Sequence, residues 1–445
     1  MKKEIILIIS GVLLCSAACA VSQPECDWPM FRYNVQHTGY TECSIPDRVV
    51  LEWKYGTGSP IEGSPAVVNG KVYIGSNNGF LYCLDAHTGV LVWKYKTPDK
   101  IISSPAVVDN KVYTGCNDGV IYCFDTDTGN IVWTFKTGNK VWPSPTVIGN
   151  KVFIGSGDTF VYCLNKDTGN VIWKYETEVW IASSAAVFDN KVFVGGRSRL
   201  FMCFDAETGE LIWDYTSGQP YVRVYSSPAA IDGNVYFATY VFPCCNSYVY
   251  CLDNNTGEII WFLDSGDEVL YSSPAVSQGK IYIGTGTNYF LCLDGDTGEV
   301  IWSFEAGNDV LSSPAVALNK VVVGSDDGFV YCFDGNTGEV IWKYRTSGGI
   351  GVASPAVGNG KIYIGNKEGD VYCLGPRTEK QPPETIKPSE TPGTTSAPSI
   401  TPSDSPLPSQ THTPPSRDKE IFMGVLILVV VVSAIGIIFW RNKQQ

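Results

Sequence analysis

Three patterns place residues that could do chemistry. Cys244 and Cys245 stand side by side, Asp125-Thr126-Asp127 and Asp294-Gly295-Asp296 space carboxylates as a calcium loop does, and Trp142, Trp180, Arg223, Tyr225 and Tyr271 lie at comparable places in successive stretches of chain. The carboxylate pairs lack the downstream bidentate Glu of an EF-hand. They also recur as part of a repeated Asp/Asn-x-x-Thr-Gly turn, where an Asp that bonds its own turn backbone and a Gly that accepts positive φ are explanation enough. With three His in the chain, at positions 37, 87 and 412, and no Cys-x-x-Cys, no metal site is expected. No catalytic residue is assigned.

The elements that position these residues follow a fixed period. Trp53, Trp93, Trp133, Trp173 and Trp213 are 40 residues apart, and Trp261, Trp302 and Trp342 follow at steps of 48, 41 and 40. A constant 40-residue period is the signature of an array. Each unit holds a Ser-Pro-Ala-Val-like run, a Lys-Val-Tyr-like run, a Tyr-Cys-Phe-Asp-like run and an Ile-Val-Trp-like run, separated by Gly, Asn and Asp: four short strands with turn chemistry between them. The expected fold is all-β, an eight-bladed β-propeller of four-stranded blades over residues 49–375. The last unit stops at Leu374 without its Trp strand, and Val49 to Trp53 is a Trp strand with no unit before it. The N-terminal strand is therefore expected to complete the eighth blade and close the ring, which removes exposed edges.

Counting back from each Ser-Pro-like pair separates a core position from a variable one. The variable side, with Trp142, Trp180, Arg223, Tyr225 and Tyr271, should line one mouth of the central channel. It can either bind something there or simply trim the channel. The 48-residue step inserts residues before Ser226 and around Cys244-Cys245, in one blade and on that same face. Eight cysteines recur once per unit (Cys83, Cys123, Cys163, Cys203, Cys251, Cys292, Cys332 and Cys373), too far apart for bridges and suited to a small buried hydrophobe. Cys26 and Cys43 bracket the 21–48 leader and are candidates for a disulfide.

The ends give a topology. Lys2 and Lys3, the apolar run from Ile5 to Leu14 and Ala18-Cys19-Ala20 read as a secretory signal peptide over 1–20. Residues 376–420 are dominated by Pro, Thr and Ser and form a stalk. Residues 421–440 carry no charge and are about long enough to cross roughly 30 Å of hydrocarbon as one helix, leaving 441–445 as a cytoplasmic tail. The expected location is the cell membrane, single-pass, with the propeller outside. One sequon, at Asn254, occurs in the body. A net charge of −13 offers no basic face for phosphate, so nucleic acid is not an expected partner.

Seven turns, at Asp85, Asp125, Asn165, Asp205, Asp253, Asp294 and Asp334, each lead after Thr-Gly into a Trp strand. This resembles the tryptophan-docking motif of PQQ-repeat, quinoprotein-like β-propellers, with Cys83 and its equivalents where that family has Ala. Asp27 to Arg32 with His37-Thr38-Gly39 resembles the leader before many microbial cell-surface members. The family includes PQQ- and calcium-dependent dehydrogenases and the propeller lipoprotein of the outer-membrane barrel-assembly machinery, so the resemblance implies the fold and not an activity. Three functions follow. The first is a non-catalytic binding module for a protein or glycan, with no cofactor. The second is an alcohol or sugar dehydrogenase, in which Cys244-Cys245 is similar to the vicinal disulfide packing on the quinone. The third is an envelope assembly scaffold.

Overall fold

The second 40-residue unit shows how the repeat folds. Its strands Ala106–Val108, Lys111–Gly115, Val120–Asp125 and Ile131–Lys136 pair in sequence order as one antiparallel sheet. The computed structural model describes residues 26–197, 200–216, 222–241, 247–265 and 272–377, and within them there are eight such sheets. The expected signal peptide, stalk, membrane segment 421–440 and tail lie outside the described residues, as do Tyr271, Cys244 and Cys245. Among the described residues no helix is long and apolar enough to cross a membrane.

The eighth blade is built from both ends of the propeller. Ala356–Gly358, Lys361–Gly365 and Asp370–Pro376 supply three strands, and Val49–Gly56 is the outermost fourth, with Trp53 opposite Cys373. Ion pairs of Lys54 with Asp370 and of Lys361 with Glu52 span that closure.

Neighbouring blades are fastened twice. Toward the outside, each Trp donates its indole N–H to a backbone carbonyl of the next blade, as Trp53 does to Ala86 (3.1 Å) and Trp173 to Ala206 (3.2 Å). The glycine of that blade's Asp-x-x-Thr-Gly turn lies under the ring: a Cβ on Gly89, at φ +71, would sit 2.6 Å from Trp53. The turn Asp is committed locally, since Asp125 Oδ1 accepts the N–H groups of Asp127 and Thr128 and the Thr128 hydroxyl, which hold its carboxyl below the usual range. Trp342 meets no such turn in the eighth blade and donates instead to Pro46 O at 2.9 Å. Toward the axis, each Ser-Pro-like serine donates its backbone N–H to the side-chain oxygen of the next blade's serine. The chain runs from Ser64 through Ser104, Ser144, Ser184, Ser227, Ser273 and Ser313 to Ser354, which returns to Ser64.

The eight recurring cysteines are buried and unbridged, and burial pushes thiols such as Cys83 and Cys203 up to about 12. They pack as small apolar groups. Asn254 of the sequon is itself buried, and its carbonyl accepts the Trp213 indole, so the folded propeller does not offer it for glycosylation.

The leader runs round the inside of the ring. Inner strands present unpaired N–H groups to the axis, and leader carbonyls take them in order: Trp28 that of Val67, Pro29 that of Val107, Val35 that of Val187, Gln36 that of Ala230, Thr38 that of Val276 and Gly39 that of Val316. It begins on the eighth blade, where Cys26 O accepts from Asn359, and returns past the seventh, where Tyr40–Thr41 pairs parallel with Ala315–Ala317. A disulfide between Cys26 and Cys43, Cα atoms 5.9 Å apart, fastens the start of this circuit to its end.

Candidate functional site

The leader determines which end of the channel can receive a ligand. Its contacts fall at the hairpin ends of the inner strands, and the blade-to-blade linkers lie at the other end, before the serine ring. From the leader, Arg32 reaches along the axis and donates to the carbonyls of Pro274 (2.6 Å) and Pro314, next to that ring. Arg32 and His37 are both buried, and His37 Nε2 lies 3.1 Å from Thr146 Oγ1. Burial brings the Arg32 guanidinium down to about 9, so it remains a cation at neutral pH. The leader thus lies across one end of the channel, where Tyr33, Asn34, Tyr40 and Asn359 line a cavity of about 880 Å³, and the linkers surround the other end, the mouth.

At that mouth, linkers entering the third, fourth and fifth blades bring together Trp142, Trp180 and Tyr225. The two indoles meet edge to face, centroids 5.7 Å apart and planes at 82°. The residue that organises them is Arg197, in the loop after strand Lys191–Gly195. Its guanidinium carbon lies 5.6 Å from the Trp142 ring centre, 4.9 Å from Trp180 and 5.5 Å from Tyr225. Arg197 Nε donates to the Tyr225 hydroxyl at 3.0 Å, and its backbone N–H donates to Trp180 O at 2.8 Å. Trp142 Nε1 is buried without a hydrogen-bond partner.

Arg223 stands at the edge of this cluster. It lies on the short strand Val222–Arg223, paired with Val241 and Tyr240, and reaches the Tyr225 hydroxyl from the side at 3.4 Å. The central cation is Arg197, which linker periodicity misses because it comes from a loop. The signal is in the sequence: in six such loops the second residue varies as Asn77, Asn117, Gly157, Arg197, Asp326 and Lys367, and each of these is bonded through its backbone N–H to a linker carbonyl.

The mouth is electrically uneven. On the seventh and eighth blades, Asp326 accepts from Gly351 N–H at 2.8 Å and pairs with Lys367 at 2.5 Å. Burial and the nearby Asp326 push the Asp309 carboxyl up. Lys140, Arg197 and Arg223, with the exposed Glu178, belong to the third to fifth blades, and Asp309 and Asp326, with Lys367, to the seventh and eighth.

Cys244 and Cys245, the pair that the dehydrogenase reading sets against a quinone, lie outside the described residues. Among the described residues there is no group of three or more His, Cys, Asp or Glu able to hold a metal ion, and the buried Arg32 is bonded to the Pro274 and Pro314 carbonyls.

Comparison with known proteins agrees with this architecture. Residues 36–280, more than half of the chain, match the family described as the beta-propeller of the beta-alanine-activating enzyme, and residues 246–397 match the outer membrane protein assembly factor BamB. Among solved structures, BamB from Moraxella catarrhalis superposes with a TM-score of 0.63 at 18% identity, over 74% of this chain and 100% of that one. The quinohemoprotein alcohol dehydrogenase from Comamonas testosteroni gives 0.67 at 17% identity, over 82% of each chain. A europium-containing methanol dehydrogenase gives 0.65 at 17% identity, over 79% of this chain and 98% of that one. At these identities the likeness is one of fold. No curated protein matches by sequence. With two family matches on the repeats and eight closed blades, the chain belongs to the PQQ-repeat β-propeller family related to BamB.

Proposed function

We propose that this chain is a non-catalytic binding module, held at the cell surface by the 421–440 segment, that takes a protein partner at the aromatic mouth of its channel. One observation carries the reading: the Arg197 guanidinium is surrounded by the Trp142, Trp180 and Tyr225 rings at the linker end of the channel. Aromatic and Arg side chains in a concave, partly desolvated site are the usual anchors of a protein interface. The relationship to an assembly factor supports a protein rather than a glycan as the partner.

The outer wall favours a second reading, an assembly scaffold. The outer strands expose aliphatic side chains at equivalent places, among them Val92, Val132, Ile172, Ile212, Ile260 and Ile301, which together make an apolar belt round the rim.

Site-specific photo-cross-linking in the native cells separates the two readings. Benzoylphenylalanine at the partly exposed Leu311, on the linker entering the seventh blade, should give one discrete adduct that disappears with Trp142→Ala, and the same group at Val92 should give none. Adducts from Val92 alone would favour the scaffold. Saturable binding of PQQ with calcium, followed by dye-linked alcohol oxidation, would overturn the non-catalytic reading.

A further inference from the structure

We propose that the mouth recognises a carboxylate, presented by an acidic segment of a protein partner and held on the outer edge of the Arg197 guanidinium. This rests on the mouth being the binding site and adds what chemistry it selects.

The argument begins with what Arg197 lacks. Ten lysines pair with carboxylates among the described residues, whereas Arg197 has no such partner there and spends only Nε, on Tyr225. Its two terminal nitrogens make no hydrogen bond to any described residue. The rings lie at cation–π distance from the guanidinium carbon and make no hydrogen bond to its terminal nitrogens, whose N–H groups are the fork that takes a carboxylate through two parallel hydrogen bonds. Three rings around one guanidinium also fix its orientation, so little side-chain entropy is lost when an anion arrives.

The surroundings are mainly of the same sign, with the exposed Glu178 set against Lys140 and Arg223 on the linkers. Arg223 lies beside Tyr225, and Lys140, two residues before Trp142, is exposed on the linker to the third blade. In a chain of net charge −13, this arc is a local reversal, and the low-dielectric ring faces strengthen its field. On the opposite wall the cation Lys367 is already paired with Asp326, and Asp309 lies close to that pair, so the side of the third to fifth blades is where an anion finds an uncommitted cation. A mouth with an uncommitted cation on one side and a paired one on the other fits an extended peptide whose acidic residues meet Arg197.

The test is a fluorescence-anisotropy titration of the full chain with three labelled octapeptides of Gly alternating with Glu, Gln or Lys. The Glu peptide should bind, the Gln peptide about tenfold more weakly, as the loss of a charge-assisted bidentate pair implies, and the Lys peptide not at all. Binding should weaken with added salt. Arg197→Gln should cost at least about tenfold, and Arg197→Lys should restore only part of it, because a point charge does not replace the fork. Exposed Lys140→Gln gives a second variant, expected to lower affinity a few-fold while leaving the aromatic cluster intact, and Lys343→Gln on the outer wall should change nothing. Equal binding of the Glu and Gln peptides, no binding of the Glu peptide, or no effect of either Arg197 substitution would overturn the proposal. If the Leu311 adduct then persists in Arg197→Gln and is lost in Trp142→Ala, the mouth still binds its partner and only the carboxylate is wrong.

Discussion

The backbone N–H of Ser354 donates to Ser64 Oγ at 3.0 Å, joining two residues 290 apart in sequence and turning a row of seven equivalent bonds into a closed ring of eight. Each bond is buried, so removing one acceptor leaves an N–H with nothing to replace it. Ser64→Ala should therefore cost about 1–3 kcal/mol. Urea unfolding should show the same loss for Ser144→Ala, and a change below about 0.5 kcal/mol would mean that the ring is not a fastening.

The outer fastening is tighter at its glycine than at its tryptophan. Gly209 has φ +75, and an added Cβ would meet the Trp173 ring at 2.5 Å. Gly209→Ala should cost about 2–4 kcal/mol from left-handed backbone and overpacking together. Trp173→Phe, which keeps a ring and loses the hydrogen bond to Ala206, should cost less. Denaturation midpoints in the reverse order would contradict the docking geometry.

The Cys26–Cys43 bond closes the leader on itself, with 17 residues of separation. By loop-closure entropy it contributes about 3 kcal/mol. Reduction, or the double substitution Cys26→Ser with Cys43→Ser, should lower the melting temperature and speed proteolysis between Trp28 and Gly39. Unchanged melting would show that the carbonyl contacts alone hold the leader.

Acid should loosen the same plug. Burial, reinforced by Arg32, holds the His37 imidazole down to about 3 from an ordinary 6.5. Between those values the unfolded chain binds a proton that the folded chain refuses, so the His37 contribution is complete above about pH 6.5 and is lost as pH falls toward 3. The turn carboxylates, held low, add to the acid loss from their own lower range. His37→Gln should flatten the stability profile between pH 6.5 and 4.5, and an unaltered profile would place the transition elsewhere.

How far the molecule can be read from its sequence differs between the blades and the mouth. The blades are legible because each Trp, turn Asp and Ser-Pro serine repeats an identical local task, and the missing Trp strand after Leu374 points directly to Val49–Gly56. The leader is not legible in the same way. It has no period, and its partners are backbone N–H groups such as those of Val107 and Ala230, which any sequence supplies. At the mouth, alternation along the linkers finds Trp142, Trp180 and Tyr225. It also finds Arg223 and misses Arg197, because it follows linkers alone, whereas Arg197 enters from a loop that a backbone bond to Trp180 brings alongside them.

Hydrogen exchange of the full chain with and without the saturating Glu peptide tests the central claim most directly. The account predicts added protection in the segments around Trp142, Trp180, Arg197 and Tyr225, with no change at the leader, the Asp-x-x-Thr-Gly turns or the outer strands. Protection confined to those turns or to the outer strands would place binding on the rim and contradict it.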